Sequence, residues 1–599
     1  MERHVRIGCY SAFWGDTPGA SRQLVEAEDA RLNYLVADYL AEVTMGLLAR
    51  ASHAPARPGS GKKAAGYIRE FVTFVLKPLL PQILEKKIKV VTNAGGLDPV
   101  GLKELIEELA AEKGVTDQVK VAAVYGDNII SQKNELLQAG AFSAFNPLNV
   151  DGADEAMFES QDSILSLNAY TGAQPITKAL EAGANIIVTG RCVDSALVLG
   201  PLAYEYSWNY ARLDDQATLD RLASASLAGH LVECGAQATG GNFTDWELSA
   251  GSAYGGWANM GYPIVTFEED GTFTVSKPRE TGGLVTRHTV GEQMLYEVLD
   301  PENYILPDVV VDLSRVVLDQ VDKDKVRVTG VRGKPPTEWL KCTAVRQMGF
   351  RTTADMLVFG ANAEQKGKVL GNAILQRARN VTEMELRNVG KSEDFKGFES
   401  KVIIVGAEHS LSPSAARPPS REVVVRIAAK HVRRHVLDVL GREVASFGTS
   451  SAPGIAMFSS GRPKVSPNFL ASSVLIRRDF VTPKFCIGGR TSTIPVPLVT
   501  EGCKPIVPSA SAIKSKSSSS AIHQPSPAQN TRCNLLDVAV GRSGDKGDTS
   551  NVAFIARNPV FYPYLLDQVT PEVVASALCN LLRPTSTVTR KEKDMHNYA

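Results

Sequence analysis

Short apolar runs, each followed by a turn and a helix-length segment, set the rhythm of the first half of the chain. Val5 to Cys9, Lys89 to Thr92, Lys120 to Tyr125, Ser166 to Thr171 and Ile186 to Thr189 read as strands. Helix patterns follow at Val100 to Gly114, at Pro175 to Ala182 and in the apolar stretch after Arg191. Strands apolar throughout and alternating with helices predict a parallel sheet with helices on both faces, so residues 1–263 form an α/β core. From Ser21 the pattern predicts a long helix, almost wholly apolar between Leu35 and Ala49 except for Asp38, Glu42 and Thr44. Asp38 and Glu42 would then share one helix face, where two buried carboxyls need a cation, a metal or a substrate as compensation.

Beyond residue 264 the texture changes. Strand-like runs at Ile264 to Phe267, Thr272 to Val275, Val309 to Asp312, Lys325 to Val331 and Val423 to Ile427 alternate with helices near Glu292 to Leu299, Glu364 to Ala378 and Val436 to Val444. This predicts a second, α+β part over residues 264–504. Residues 505–532, rich in Ser, Pro, Ala and Lys, have little to bury and read as a flexible linker. A small segment over 533–599 follows, opening strand, polar glycine loop, strand, with Arg542, Asp545, Lys546 and Asp548 in the loop. That loop binds an anion or metal, or is a solvated turn with internal ion pairs.

The chemistry concentrates between Asn185 and Asn242. Arg191 and Asp194 fall where a strand hands over to a helix, outside the carboxyl end of the strand, where open α/β sheets bind ligands. His230, Glu233 and Cys234 are spaced to share one side of a helix that ends just before Gln237, Thr239 and Asn242. Strand, turn and helix also surround Asn93, Gly95 and Gly96, an arrangement that exposes backbone amides to an anion or simply makes a tight turn. Without a full GxGxxG or a Walker lysine, a nucleotide reading is weak there. Asp16, in a glycine-rich loop, either holds a ligand hydroxyl or caps the next helix, and Asn168 stands at the end of its own strand. Cys234 is a thiol nucleophile or a buried packing residue.

Charge and cysteine usage narrow the classes. Sixty-five basic against 65 acidic residues remove an electrostatic argument for nucleic acid or an anionic membrane. No window approaches about 18 unbroken apolar residues, and the expected location is cytoplasmic. Eight cysteines lie scattered without a CxxC pair, which indicates neither a zinc site nor a disulfide framework.

The stretches GCYSAFWGDTP, YLVADYLAEVTM, KVVTNAGGLDP, NAYTGAQPI, AGANIIVTGRCVDSALVLGPL, AGHLVECGAQATGGNF and GRSGDKGDTSNVAFIAR together resemble the acyclic terpene utilisation protein A (AtuA) family. The resemblance implies a large AtuA core followed by a small ferredoxin-like C-terminal domain. It also implies a setting in the catabolism of citronellol- and geraniol-type compounds, whose acids become coenzyme A thioesters that are carboxylated, hydrated and cleaved. The family's C-terminal domain continues with further strands where this chain turns into RKEKDMHNYA, so the expectation is an incomplete domain with an edge that another chain covers.

Two functions follow as expectations. One is a lyase, hydratase or carbon–carbon lyase, acting on a branched carboxylic acid or acyl thioester. It would use Glu233 or His230 for proton transfer, Arg191 as anion anchor and the Asn93-Gly95-Gly96 loop as oxyanion or phosphate site. Asp16, Asp38, Glu42, Asn168, Asp194, Gln237, Thr239 and Asn242 are its remaining candidates. The other is a non-catalytic acyl-binding or accessory subunit. No cofactor beyond coenzyme A carried by the substrate, no metal, no nucleic acid and no membrane are expected, and a homo-oligomer is.

Overall fold

Successive residues of the short apolar runs enter two different cores. In the strand Tyr34–Ala37, Tyr34 and Val36 pack into one hydrophobic cluster and Leu35 and Ala37 into the other. Val91 and Val90 divide in the same way, as do Ile187 and its neighbours Ile186 and Val188. Side chains of a strand alternate between the faces of its sheet, so runs apolar at every position need cover on both. The helices Gln174–Glu181, Ala196–Glu205 and Gln216–Glu233 cover one face, and Gly19–Glu26, Glu42–His53, Lys77–Glu85 and Pro99–Glu112 the other.

The computed structural model describes residues 4–53, 66–144, 164–389, 397–407, 418–457, 461–495, 532–546, 549–579 and 581. Its first strands are β1 (His4–Cys9), β2 (Tyr34–Ala37), β3 (Lys89–Thr92), β4 (Val121–Tyr125), β5 (Phe142–Ala144), β6 (Ile164–Ala169), β7 (Ile186–Thr189), β8 (Ile264–Glu268) and β9 (Phe273–Ser276). Five of them lie parallel in the order β1, β2, β3, β7, β4. Antiparallel strands extend this sheet at both edges to eleven, with β8, β9, Lys325–Thr329 and Val317–Asp322 beyond β1, and Lys484–Ile487 and Arg490–Thr493 beyond β4.

The fold class is the one expected, with four corrections of detail. Leu35 to Ala49 is not one helix: β2 ends at Ala37 and a helix starts only at Glu42. A buried strand and a buried helix turn have the same apolar texture, and periodicity alone does not separate them. β6 forms where a strand was expected, but it pairs with the strand that begins at Trp339 instead of joining the parallel sheet. β8 and β9 hydrogen-bond onto β1, so the chain beyond 264 first completes the first sheet. The described residues accordingly fall into two compact units, those within 1–345 and 471–565 and those within 346–470 and 566–581. Apart from Arg532, the expected linker lies outside the described residues.

In the second unit Phe350–Phe359, Glu422–His431 and Glu399–Val405 make an antiparallel sheet. The helices Ala363–Asn388 and Arg434–Ser446 pack on it, burying Leu370, Ile374, Leu437 and Leu440 against Val425 and Ile427.

Gly190, which follows β7, has no space for a side chain, because a Cβ there would collide with the Asp127 carboxylate. Gly190→Ala is expected to destabilise the protein by about 1–3 kcal/mol, the usual cost of overpacking, read as a lower urea midpoint.

Candidate active site at the carboxyl ends of the parallel strands

Four neighbouring strands of the parallel sheet each end in a polar residue. Asp38 follows β2, Asn93 follows β3, Asp127 lies just beyond β4 and Arg191 just beyond β7, and all four are buried. They meet because parallel strands end at the same edge of the sheet. Asn93 Nδ2 donates to Asp38 Oδ1 at 2.6 Å, and Asn93 Oδ1 accepts from the Tyr39 amide at 2.8 Å. Asp127 Oδ2 accepts from Asn168 Nδ2 at 2.8 Å and from the Arg191 amide at 2.9 Å. Burial pushes Asp127 up to about 6 against the pull of these bonds. It pushes Asp38 well above the usual carboxylate range, assisted by the charge of Asp194 and opposed by Arg191 and the Asn93 bond.

Arg191 joins this floor to a more open rim. Its Nη1 bonds Asp194 Oδ1 at 2.6 Å, and its guanidinium lies 4.1 Å from the centre of the Tyr170 ring. Lys341 Nζ sits 4.8 Å from the same ring centre and pairs with Glu42 at 3.1 Å, while the Tyr170 hydroxyl donates to Glu42 at 3.2 Å. The Arg191 side chain is 4% exposed against 24% for Asp194, 23% for Glu42 and 22% for Lys341. Asp194, Glu42 and Lys341 are thus the solvent-reachable members of the group, and the buried Arg191 bonds Asp194.

The helix Gln216–Glu233 supplies the third part. It runs tightly against the segment that carries Asp194, since a Cβ on Gly229 would lie 2.7 Å from Ser195 backbone atoms. At its end His230 Nδ1 and Glu233 Oε1 are 3.2 Å apart, with the Tyr304 hydroxyl 3.4 Å from the same nitrogen. Burial raises Glu233 to about 7, the His230 bond and charge holding it back and the charges of Asp194 and Glu297 adding to the rise. For His230 burial works downward, but the bond and charge of Glu233 outweigh it and the net shift is upward. Asp194 thus acts on Asp38 and on Glu233 alike, which ties the strand-end floor to the helix end.

The raised carboxyl has a sign that stability can read. Glu233 rises from 4.5 to about 7 on folding, so its contribution is present in full below about pH 4.5 and is lost as pH climbs through 7. Glu233→Gln, neutral throughout, is expected to gain stability relative to the parent protein across that window. Urea midpoints for both proteins at several pH values check it.

Several sequence candidates have other tasks in the structure. Asp16 Oδ2 accepts from the Ala12 amide, and Oδ1 accepts from the Thr17 amide and the Tyr262 hydroxyl, which fixes its own loop. Thr239 Oγ1 donates to the carbonyls of Ala236 and Gly261. The expected anion cradle is folded on itself: the Gly96 amide donates to the Asn93 carbonyl, Leu97 to Gly66 and Asp98 to Gly95. The Gly96 amide is therefore spent within the turn, and the Asn93 side chain reaches the polar cluster. Cys234 caps the helix with its thiol pushed well above the ordinary value by burial and the Glu233 charge, an environment opposed to the thiolate a nucleophile needs. Asp127, Tyr170 and Lys341 were not singled out from sequence. Asp127 carries the same signal as Asp38, a polar residue just past a buried strand, whereas nothing local marks Lys341.

A match to the family described as acyclic terpene utilisation family protein AtuA covers residues 5–487. The chain belongs to the AtuA family. A second match, to the AtuA ferredoxin-like domain, covers residues 533–598. No curated protein and no solved structure matches the chain.

Within the AtuA ferredoxin-like segment, the hairpin of Ala539–Lys546 and Thr549–Ala556 lies against the core next to the Glu233 helix end. Arg542 donates to Gln237 Oε1 and, at 3.3 Å, to the Asn242 carbonyl, with its guanidinium 4.4 Å from the centre of the Tyr296 ring. Gln237 and Asn242 are thus the seat of the hairpin. Arg557 grips Asp245 with both terminal nitrogens, and Asn551 Nδ2 donates to the carbonyls of Leu295 and Val298 at the end of the helix Arg287–Leu295. Gln293 of that helix donates to the His230 carbonyl, so the AtuA hairpin braces the helix that in turn holds His230. Among the described residues of this AtuA chain, no helix is long and apolar enough to cross a membrane, and no group of three or more His, Cys, Asp and Glu side chains is placed to hold a metal ion.

Proposed function

We propose that this AtuA-family protein is a lyase, of the hydro-lyase or carbon–carbon type, that moves a proton beside the carbonyl of a branched acyl substrate. The observation that carries the reading is Glu233, a buried carboxyl raised to about 7 and 3.2 Å from His230 Nδ1, within the electrostatic reach of Asp194. A group that exchanges its proton near neutral pH is suited to general acid and base work. The family's setting in acyclic terpene utilisation supports a branched, isoprenoid-type acyl chain as the substrate class.

In this reading Glu233 takes or returns the proton, and His230 orients it and tunes its affinity. Asp194 is fixed by Arg191 at the rim, where with Glu42 and Lys341 it meets the polar end of the substrate. Asn93 and Asp127 act as positioning residues, because each is buried and spends its hydrogen bonds on Asp38 or on the backbone of Arg191.

The test is incubation of the purified full chain with branched acids and their thioesters in heavy water, followed by mass spectrometry. Deuterium uptake beside the carbonyl, or a mass change of one water or a cleaved fragment, is the expected result. Binding without exchange or mass change for the whole panel overturns the lyase reading in favour of an acyl-binding accessory protein.

A further inference from the structure

The helix Arg287–Leu295, whose Gln293 Nε2 donates to the His230 carbonyl at 3.1 Å, ends in a tight turn. Tyr296 stands at φ −64° and ψ 123°, Glu297 at φ 61°, and the Val298 amide closes the turn on the Leu295 carbonyl at 3.4 Å. This is a type II turn, whose left-handed position normally falls to glycine or asparagine. A glutamate there is held against its own backbone preference, which calls for a clamp from outside and a task for the side chain.

The clamp is the C-terminal hairpin. Asn551 Nδ2 donates to the carbonyls on either side of Glu297, Leu295 at 3.2 Å and Val298 at 3.1 Å. Gly544 lies flush on Glu297, for a Cβ there would come within 2.6 Å of the Glu297 nitrogen and 2.8 Å of its Cγ. One helical turn before Leu295, a Cβ on Gly291 would stand 2.9 Å from Ile555 Cδ1. The hairpin thus fixes the Glu297 backbone and the root of its side chain, at the end of the helix that is bonded to His230. The Glu297 charge reaches His230, Glu233 and Cys234 alike, and Asp194 and the Tyr304 hydroxyl also face the pair.

We propose that Glu297 is a positioning residue of the His230–Glu233 pair: the hairpin holds its carboxylate beside the pair, so that the ferredoxin-like segment sets the pH at which the pair exchanges its proton. Its part in turnover rests on the proton-transfer reading above, whereas the tuning itself does not. A negative charge at this place opposes ionisation of Glu233 and favours protonation of His230, so removing it moves both titrations to lower pH.

The test follows the His230 ring by nuclear magnetic resonance against pH in the ligand-free full chain with isotope-labelled histidines, His230→Asn identifying the signal. Glu297→Gln keeps the size of the side chain and removes its charge. It should lower the apparent midpoint of the pair by about 0.5–1 pH unit, the effect of a partly screened neighbouring charge. Glu297→Asn removes the same charge but suits the left-handed turn, so it should give the same fall with a urea midpoint no lower than the parent's, an outcome foreign to a purely structural Glu297. Asn551→Ala, which loosens the turn from the hairpin, should move the titration the same way by a smaller amount. Combined with Glu297→Gln it should add nothing, because the charge through which Asn551 acts is gone. A midpoint unmoved in both Glu297 variants overturns the proposal, as does one unmoved in Asn551→Ala or a double variant in which the shifts add. Absence of deuterium exchange in the parent protein sinks the proton-transfer reading alone, because the ring titration needs no substrate.

Discussion

Glutamine in place of Glu233 lowers the rate of deuterium exchange or turnover by about two to four orders of magnitude, the usual worth of a positioned acid or base. The substitution preserves shape and the contact with His230, and removes only the ability to gain or lose a proton. Its signature lies in the pH profile. In the parent protein the rate rises as pH climbs through about 7 and Glu233 ionises, then levels off. In the variant that limb disappears. His230→Asn gives the companion result, because the His230 bond and charge hold Glu233 down and their loss moves the limb to higher pH. The two groups titrate as a pair, so the profile reports the pair and the variants apportion it. An unchanged rate in Glu233→Gln places the acid or base elsewhere, with Asp194 as the next candidate.

Arg191→Ala is expected to lower the unfolding free energy by about 3–5 kcal/mol, the loss typical of breaking a buried pair on one side. Arg191 is 3% exposed and stands between Asp194, Asp38 and the Tyr170 ring. Its removal leaves a carboxylate without its partner, a void beneath Tyr170 and no counter-charge for the floor. Arg191→Lys restores the charge but not the planar fork that both stacks on the ring and reaches Asp194, and should recover less than half of the loss. The double variant Arg191→Ala with Asp194→Asn should be more stable than the sum of the two single changes predicts, because the unpaired charge is gone. Urea titrations of the four proteins read the pattern. Simple additivity would mean that the 2.6 Å pair in the structure carries no coupling in solution.

The candidate site was legible where chemistry and strand ends coincide. Arg191 and Asp194 follow β7, and His230 and Glu233 share a helix side, so position along the chain brings each pair together without any knowledge of the fold. Asp38 and Glu42 were picked out for a reason the structure corrects. They do not share a helix face: Asp38 ends a strand and Glu42 begins a helix. They remain members of one site because both lie at the strand-end edge, with Arg191 feeling the charge of each. Lys341 was out of reach of any local argument, because it arrives at Tyr170 from a strand some 170 residues further on, and only chain tracing brings it there.

By itself the sequence determined the α/β layering, through strands apolar on both faces, and the two short constellations Arg191 with Asp194 and His230 with Glu233. It determined membership of the AtuA family as well, through stretches spread over most of the chain. The tertiary structure alone decided which of those groups are free to act. The Gly96 amide is spent on the Asn93 carbonyl of its own turn, one guanidinium nitrogen of Arg191 is bonded to Asp194, and Cys234 is held as a thiol. Arg542 reaches Gln237 across some 300 residues of chain, and the pairing of β8 with β1 carries the second half of the sequence into the first sheet. The reason is physical: burial and hydrogen-bond partners set the charge and reach of a polar group, and both depend on segments far away in the chain, whereas periodicity records only which face of a strand or helix a residue must turn inward.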